Sequence, residues 1–225
     1  MTGHASLGIF AKQPLPGLVK TRLSPPLTPV LAAQLYMCCL QETVRLADRG
    51  GWDTVLFYQG QRQFFSQSFP DLQLEEQTGG DLGQRLAHAF ASRFAAGAQQ
   101  VVIIGSDSPD LPTTLIRQAF AGLNEHDAVL APAGDGGYVL IGLRHCAPDL
   151  FQNIPWSTGE VFAATRKRIS ELQLNALELP EWHDVDDVAS LRQLVRRSPD
   201  SLTAQLAAQL LDETVPGQPS IHPTR

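Results

Sequence analysis

The stretch that most constrains the fold of this chain is VVIIGSDSPDL, at residues 101–111. Its first four residues are apolar and β-branched with no polar alternation, which predicts a central strand of a parallel sheet covered on both faces. In open α/β sheets the ligand crevice lies beyond the carboxyl ends of the strands. Asp107 is therefore the first candidate for chemistry. Asp110 precedes Pro112 by two residues, and we expect it to accept hydrogen bonds from the first turn of the next helix.

Helical and strand patterns alternate along the whole chain, with no internal repeat or linker. Strands are predicted at 6–11, 54–58, 72–77 near a sheet edge, 101–104, 128–131, 139–143 and 174–179. Helices are predicted at 29–49, 61–68, 82–96, 112–125, 159–172, from 188 onward and at 200–211. This alternation indicates one doubly wound α/β domain over residues 1–212, and the proline-containing residues 213–225 are expected to form a disordered tail.

Composition excludes several classes of protein. The net charge of −6 argues against nucleic acid as the main partner, since a backbone-binding surface needs clustered Lys and Arg. No apolar run is long enough to span a bilayer, and the N-terminus lacks a secretory pattern, so we expect a cytoplasmic protein without a membrane partner. The three cysteines fit neither a disulfide framework nor a zinc spacing and are expected to be small buried hydrophobes.

Two glycine-containing loops have the features of ligand-binding segments. The first, at residues 12–23, follows a strand and carries Lys12, Lys20 and Arg22 between its Pro and Gly residues. Such a loop can cradle phosphates, although it matches neither the GxxxxGK[ST] nor the GxGxxG spacing and could equally be a solvated basic loop. In the second, Gly79 and Gly80 could approach a ring or a phosphate, or could form a turn before Asp81 caps a helix.

Three further segments offer polar groups near the same sheet edge. Asp135, in PAGDGGY, belongs either to a hairpin turn or to a functional loop beside Asp107. Trp156 is either a core residue or a wall of an acceptor pocket. The sequence DVDD ends in Asp187, which is the expected helix cap, and this leaves Asp186 as a possible metal ligand.

Six motifs in this order resemble a known group of proteins. They are FAKxPxxGxVKTRL from residue 10, GGDLGQR from 79, GSDSPDL from 105, PAGDGGY from 132, WST from 156 and DVDD from 184. Together they resemble the bacterial glycosyltransferase-A-like (GT-A) family of the nucleotide-diphospho-sugar transferase superfamily, related to phospholactate guanylyltransferase and, more distantly, to molybdenum cofactor guanylyltransferase. The resemblance spans residues 7–194 and implies a Rossmann-like, mostly parallel sheet.

The resemblance also implies a role for each matched residue. It implies metal ligands at Asp107 and Asp186, and catalytic roles for Asp107, Lys20, Arg22 and Asp135. Nucleotide contacts are implied for Phe10, Ala11, Lys12, Gly17, Lys20, Arg22, Gly79, Gly80 and Gly83. Acceptor contacts are implied for Asp135, Gly136, Gly137, Tyr138, Trp156, Ser157 and Thr158.

The implied activity is nucleotidyl transfer from a nucleoside triphosphate to a small, phosphorylated acceptor, with release of pyrophosphate and with Mg²⁺ or Mn²⁺ as the cofactor. One alternative is a glycosyltransferase that uses a nucleotide-diphospho-sugar, with Asp135 as the base. A second is a nucleotide-binding protein without turnover. The base, the acceptor and the oligomeric state, for which a homodimer is one option, stay open at this point.

Overall fold

The structure is a computed structural model that describes residues 4–213. Its strands are β1 Ala5–Lys12, β2 Asp53–Gln59, β3 Gln73–Glu76, β4 Gln100–Gly105, β5 Ala128–Pro132, β6 Tyr138–Leu143 and β7 Ala176–Glu178. Its α-helices are α1 Pro29–Ala47, α2 Arg62–Ser68, α3 Leu82–Ala95, α4 Thr113–Gly122, α5 Val161–Glu171, α6 Val188–Arg197 and α7 Leu202–Glu213. Short 3₁₀ turns lie at Thr21–Leu23 and Pro148–Phe151. The predicted tail lies, from residue 214 onward, outside the described residues.

The seven strands form one sheet in the order β3-β2-β1-β4-β6-β5-β7. All neighbouring pairs are parallel except those of β6, which is antiparallel to both β4 and β5. β4 lies at the centre, where each of its residues 101–104 is at most 3% exposed. The buried central strand, the edge position of β3 and the doubly wound, mostly parallel sheet are thereby confirmed. The carboxyl ends of six strands and the start of β6 meet at one edge of the sheet.

Helices cover both faces of this sheet. Helices α1, α2 and α4 pack through one apolar cluster on one face, and α3 and α5 pack through a second cluster on the other. A third cluster joins the outer side of α1 to α6, α7 and the segment around Leu23 and Leu27. The segments that follow β1 and precede α6 therefore share one small core, outside the sheet itself.

Side-chain caps fix where three helices begin, close to the predicted starts. Thr28 accepts a hydrogen bond from the N–H of Leu31 in front of Pro29, and Asp81 accepts one from Gln84. Asp187 accepts from Ser190 in a reciprocal capping arrangement, so its assignment as the cap of α6 is confirmed. Each cap satisfies an N–H group that a helix leaves free in its first turn.

Two expectations from the sequence were wrong. Helix α4 begins after Pro112 without a side-chain cap, because the carboxylate of Asp110 turns away to accept hydrogen bonds from Arg197 and Ser198. The cysteines are not uniformly buried, since Cys39 is buried, Cys38 is half-buried and Cys146 is exposed.

None of the helices within residues 4–213 is long and apolar enough to cross a membrane.

Candidate functional site

The predicted loop after β1 delivers one buried cation to the carboxyl edge of the sheet. Lys20 has a backbone φ of 48° at the start of the 3₁₀ turn, and its side chain is only 3% exposed. Its ammonium lies 2.5 Å from Asp107 Oδ1 and 3.2 Å from Asp186 Oδ1, and it also donates to the carbonyl of Val185. Burial alone would lower the pKa of Lys20, but the negative charges of Asp107 and Asp186 raise it above its usual value. Lys20 therefore remains charged and joins the loops after β1, after β4 and before α6.

A second group of carboxylates lies beside this ion pair. Asp135, Asp184 and Asp186 each place one carboxylate oxygen so that the three atoms lie within 4.8 Å of one another. Burial, followed by the charges of Asp186 and Asp135, raises the pKa of Asp184 to about 6. Hard divalent cations prefer such oxygen donors, and a cation would relieve the repulsion among the three, so these residues fit a divalent metal ion.

The turn that carries Asp135 is fixed by glycine contacts. The Asp135 carboxylate accepts a hydrogen bond from the Gly137 N–H at 2.8 Å, as expected of a turn residue. Gly136 has a φ of 88°, and a Cβ there would lie 2.1 Å from the carbonyl oxygen of Gly159. The hairpin reading of this segment is correct, and the same turn brings Asp135 to the acidic cluster.

A tyrosine that no sequence motif marks supports the ends of β1 and β4. Tyr36, on α1, accepts a hydrogen bond from the backbone N–H of Lys12 at 2.9 Å and lies 2.7 Å from Ser106 Oγ. Its ring lies 5.9 Å from the ammonium of Lys20. Burial, and then the charge of Asp107, raise the pKa of the Tyr36 phenol above its usual range. Tyr36 occupies an apolar position of α1, where nothing in the sequence distinguishes it from a core aromatic residue.

The segment before α3 is held by its own side chains. The Gly80 N–H donates to Gln84 Oε1 at 2.8 Å, and Arg85 donates to the carbonyls of Gly79 and Gly80. Gln77 bonds the carbonyls of Ala11 and Phe57, and thereby ties the segment to the ends of β1 and β2. The structure is compatible with both predictions for this loop. It is a turn in which Asp81 caps α3, and its residues Gln77 and Gly80 also line the cavity at the sheet edge.

These elements surround one cavity of about 750 Å³. Of the residues expected to contact nucleotide or acceptor, the wall contains Phe10, Ala11, Lys12, Lys20, Gly80, Tyr138, Trp156 and Ser157, and it also contains Asp107 and Asp186. Of the same expected residues, all within the described part of the chain, those outside the wall are Gly17, Arg22, Gly79, Gly83, Asp135, Gly136, Gly137 and Thr158. Asp186 is thus the member of the acidic cluster that faces the cavity.

Trp156 lies against the first turn of α3. A Cβ at Gly83 would lie 2.4 Å from the indole Nε1 and 2.7 Å from the Phe151 carbonyl, so only glycine allows this contact. The indole also packs against the apolar cluster under α3. Trp156 therefore combines core packing with a place in the cavity wall. It also lies against Gly83, which was expected to contact nucleotide and not the acceptor.

Comparison with known proteins yields one family and several structures of the same fold. A family model described as "Uncharacterized protein conserved in bacteria (DUF2064)" matches residues 42–158, more than half of the chain. A candidate nucleotide-diphospho-sugar transferase from Desulfovibrio desulfuricans G20 is 34% identical, with a TM-score of 0.88 over 95% of this chain and 99% of that one. No curated protein matches the sequence.

Two more distant structures share the fold. CMP:2-keto-3-deoxy-manno-octonic acid synthetase, solved with CTP, is 13% identical, with a TM-score of 0.56 over 88% of this chain and 99% of that one. A Mycobacterium tuberculosis protein solved with manganese is 14% identical, with a TM-score of 0.53 over 86% and 98%. The kinship to phospholactate guanylyltransferase stays a prediction. The chain belongs to the bacterial family DUF2064 and has the fold of the nucleotide-diphospho-sugar transferases.

Proposed function

We propose that this protein is a metal-dependent, nucleotide-using transferase that moves a nucleotidyl group from a nucleoside triphosphate to a small acceptor. The proposal rests mainly on the cavity at the carboxyl edge of the sheet, whose wall contains Lys12, Lys20, Asp107 and Asp186. In sheets of this kind the ligand crevice lies at this edge. The cavity volume of about 750 Å³ lies within the usual range for small-molecule sites.

The charges around the cavity suit a polyphosphate bound with a divalent cation. Lys12, at the end of β1, is exposed in the wall, where it can meet phosphate oxygens. Arg22 is exposed on the 3₁₀ turn outside the wall and would add positive charge nearby. Asp186, with Asp184 and Asp135, would hold the cation, since their carboxylates converge. Bound there, Mg²⁺ or Mn²⁺ would neutralise phosphate charge and stabilise the pyrophosphate leaving group. The manganese complex of the Mycobacterium tuberculosis protein supports a metal in this fold.

In this reaction the protein itself positions and neutralises groups. An acceptor hydroxyl or phosphate attacks the α-phosphorus in line with the departing pyrophosphate, and binding in a fixed orientation supplies much of the rate enhancement. Gly80 and Trp156 lie in the cavity wall and would contact the base, while Tyr138, also in the wall, would contact the acceptor. A Methanothermobacter protein of this fold is described as a nucleotidyl transferase, and the CMP:2-keto-3-deoxy-manno-octonic acid synthetase was solved with CTP, which together support nucleotidyl transfer here.

Glycosyl transfer from a nucleotide sugar is the second candidate, favoured by the description of the Desulfovibrio desulfuricans protein. An inverting reaction would require a base to deprotonate the acceptor hydroxyl, and Asp135 is the exposed carboxylate available.

A thermal-shift panel of nucleoside triphosphates and nucleotide sugars, with and without Mg²⁺ or Mn²⁺, tests the proposal. A ligand at a hundredfold its Kd adds about 2.7 kcal/mol to the unfolding free energy. We expect metal-dependent stabilisation by one triphosphate, followed by pyrophosphate release when the acceptor is supplied. Stabilisation by nucleotide sugars alone would favour glycosyl transfer. Binding without turnover of any acceptor would favour a binding protein, and no response would contradict the nucleotide function.

A further inference from the structure

The ammonium of Lys20 has no N–H left for a ligand. An ammonium has three N–H donors, and the structure gives this one three acceptors: Asp107 Oδ1, Asp186 Oδ1 and the Val185 carbonyl. Because the side chain is only 3% exposed, these acceptors replace its hydration. A phosphate oxygen could engage Lys20 only if one of the three bonds broke.

Lys12, the last residue of β1, is exposed where Lys20 is buried. It is exposed in the wall of the same cavity, and its ammonium has no acceptor among residues 4–213. Its charge is therefore free to meet an incoming anion, whereas the charge of Lys20 is already balanced by carboxylates. The sequence motif contains both lysines, but the ammonium of Lys20 is bound by three acceptors and that of Lys12 is exposed.

We propose that Lys20 is the resident cation between Asp107 and Asp186, a positioning residue and not a phosphate ligand. This inference rests on the proposed function, and it differs from the phosphate role that the resemblance implies for Lys20 and from the metal-ligand role that it implies for Asp107. By filling the space between the two carboxylates, Lys20 excludes a divalent ion from that space. The divalent ion would then bind on the other side of Asp186, where Asp184 and Asp135 also place carboxylate oxygens.

The backbone around Lys20 supports a fixed position. Lys20 has a left-handed φ of 48°, and its ammonium lies over the ring of Tyr36, 5.9 Å from the ring centroid. The Val185 carbonyl ties the ammonium to the segment before α6, and the N–H of the same residue bonds the Asp107 carbonyl at 2.9 Å. Lys20 therefore joins its own loop to the loop after β4 and the segment before α6, whose carboxylates Asp107 and Asp186 would otherwise repel each other.

The test is Mn²⁺ binding to the nucleotide-free protein, measured by calorimetry and by the electron paramagnetic resonance of free Mn²⁺. In Lys20→Met the two carboxylates lose their cation, so we expect Mn²⁺ affinity to rise at least about tenfold. Lys12→Met is the matched control. Its charge is exposed and screened, so its Mn²⁺ affinity is expected to stay within about threefold of wild type, while its triphosphate affinity falls more than its nucleoside affinity.

Unchanged Mn²⁺ affinity in a folded Lys20→Met variant, with a nucleotide loss that grows with the number of phosphates, would overturn the proposal. If Lys20→Met folds poorly, thermal unfolding with and without Mn²⁺ is the alternative test. The proposal requires Mn²⁺ to raise the melting temperature of Lys20→Met by more than it raises that of wild type. Adding Asp107→Asn should then cancel the gain in Mn²⁺ affinity. If wild type binds no nucleotide, the proposed function fails, and the Mn²⁺ comparison still decides the role of Lys20.

Discussion

The backbone N–H of Val185 donates to the backbone carbonyl of Asp107 at 2.9 Å, although the two residues come from opposite halves of the chain. This bond sets the loop after β4 beside the segment before α6 without using any carboxylate. Asp107 and the acidic residues around Val185 are therefore held close by main-chain geometry as well as by Lys20. Substitutions of single carboxylates at this site should alter its charge more than its fold.

Asp184→Asn should stabilise the metal-free protein while weakening its response to metal. Burial and repulsion by Asp186 and Asp135 raise the pKa of Asp184, so its ionised carboxylate destabilises the folded protein at neutral pH. The asparagine amide is uncharged and removes this electrostatic destabilisation. Because the group is partly solvated, we expect a gain of only about 1 kcal/mol in the free energy of unfolding in EDTA. Urea unfolding in EDTA and in Mg²⁺ measures both effects. Asp71→Asn, at an exposed position, is the control. A less stable variant in EDTA, or an undiminished metal response, would contradict this view of the cluster.

Tyr36→Phe should destabilise the protein by about 1–3 kcal/mol, because it removes the buried acceptor of the Lys12 N–H and the partner of Ser106 Oγ. Urea unfolding monitored by circular dichroism measures the change. Tyr58→Phe is the matched control, since Tyr58 is also a buried aromatic residue and its hydroxyl has no partner among the described residues. Equal losses in the two variants would show that the Tyr36 hydroxyl has no special role at the strand ends.

Gly83→Ala should lower stability by about 1–3 kcal/mol, although alanine favours helices, because the added Cβ would lie 2.4 Å from the Trp156 indole and 2.7 Å from the Phe151 carbonyl. We expect a shift in Trp fluorescence as the indole is displaced. Gly80→Ala is the control, since a Cβ there would meet only the movable end of Gln84 at 3.3 Å. Thermal unfolding compares the two variants. A Gly83→Ala protein as stable as wild type would show that the loop containing Trp156 can move to accommodate the added Cβ without loss of stability.

The local pattern of the sequence was sufficient for most of the fold. Buried β-branched runs such as that of β4 and caps such as Thr28 act over a few residues, so their positions follow from nearby sequence. Helix ends without a strong local signal were less accurate: α4 ends at Gly122, short of the predicted residue 125. The role of Asp110 was partly missed, because its hydrogen-bond donors, Trp182, Arg197 and Ser198, all lie far along the chain.

The candidate site was predictable in its location and not in its pairings. The carboxyl-edge rule brought Asp107 and Asp186 to one place, and the structure does bring them together. That Lys20 lies between them, that Asp184 joins Asp135, and that Tyr36 supports the strand ends all depend on contacts between distant segments. Residue type and spacing carry no signal for such contacts, since a buried lysine and an exposed one look alike in the sequence.

Asp110→Asn should destabilise the protein at neutral pH by about 2–3 kcal/mol, because the buried carboxylate accepts two hydrogen bonds from Arg197 and one from Ser198. Burial alone would raise the pKa of Asp110, but Arg197 and Ser198 hold it below its usual value. A lowered carboxyl pKa gives stability that is present above the unfolded-state pKa of about 3.9 and lost as the pH falls through the folded-state value. The stability gap between wild type and Asp110→Asn should therefore be full at pH 7 and shrink below about pH 4.

Thermal unfolding of both proteins at pH 7, 5, 4 and 3.5 measures this gap. Asp71 is exposed, so the stability of Asp71→Asn should differ little from that of wild type at any of these pH values. Arg197 also lies over the Trp182 ring, with its guanidinium carbon 5.5 Å from the ring centroid, so Arg197→Met should lose the ion pair and keep part of the packing. A gap for Asp110→Asn that stays constant to pH 3.5 would mean that the variant loses packing, and the ion pair would then have little part in joining the loop after β4 to α6.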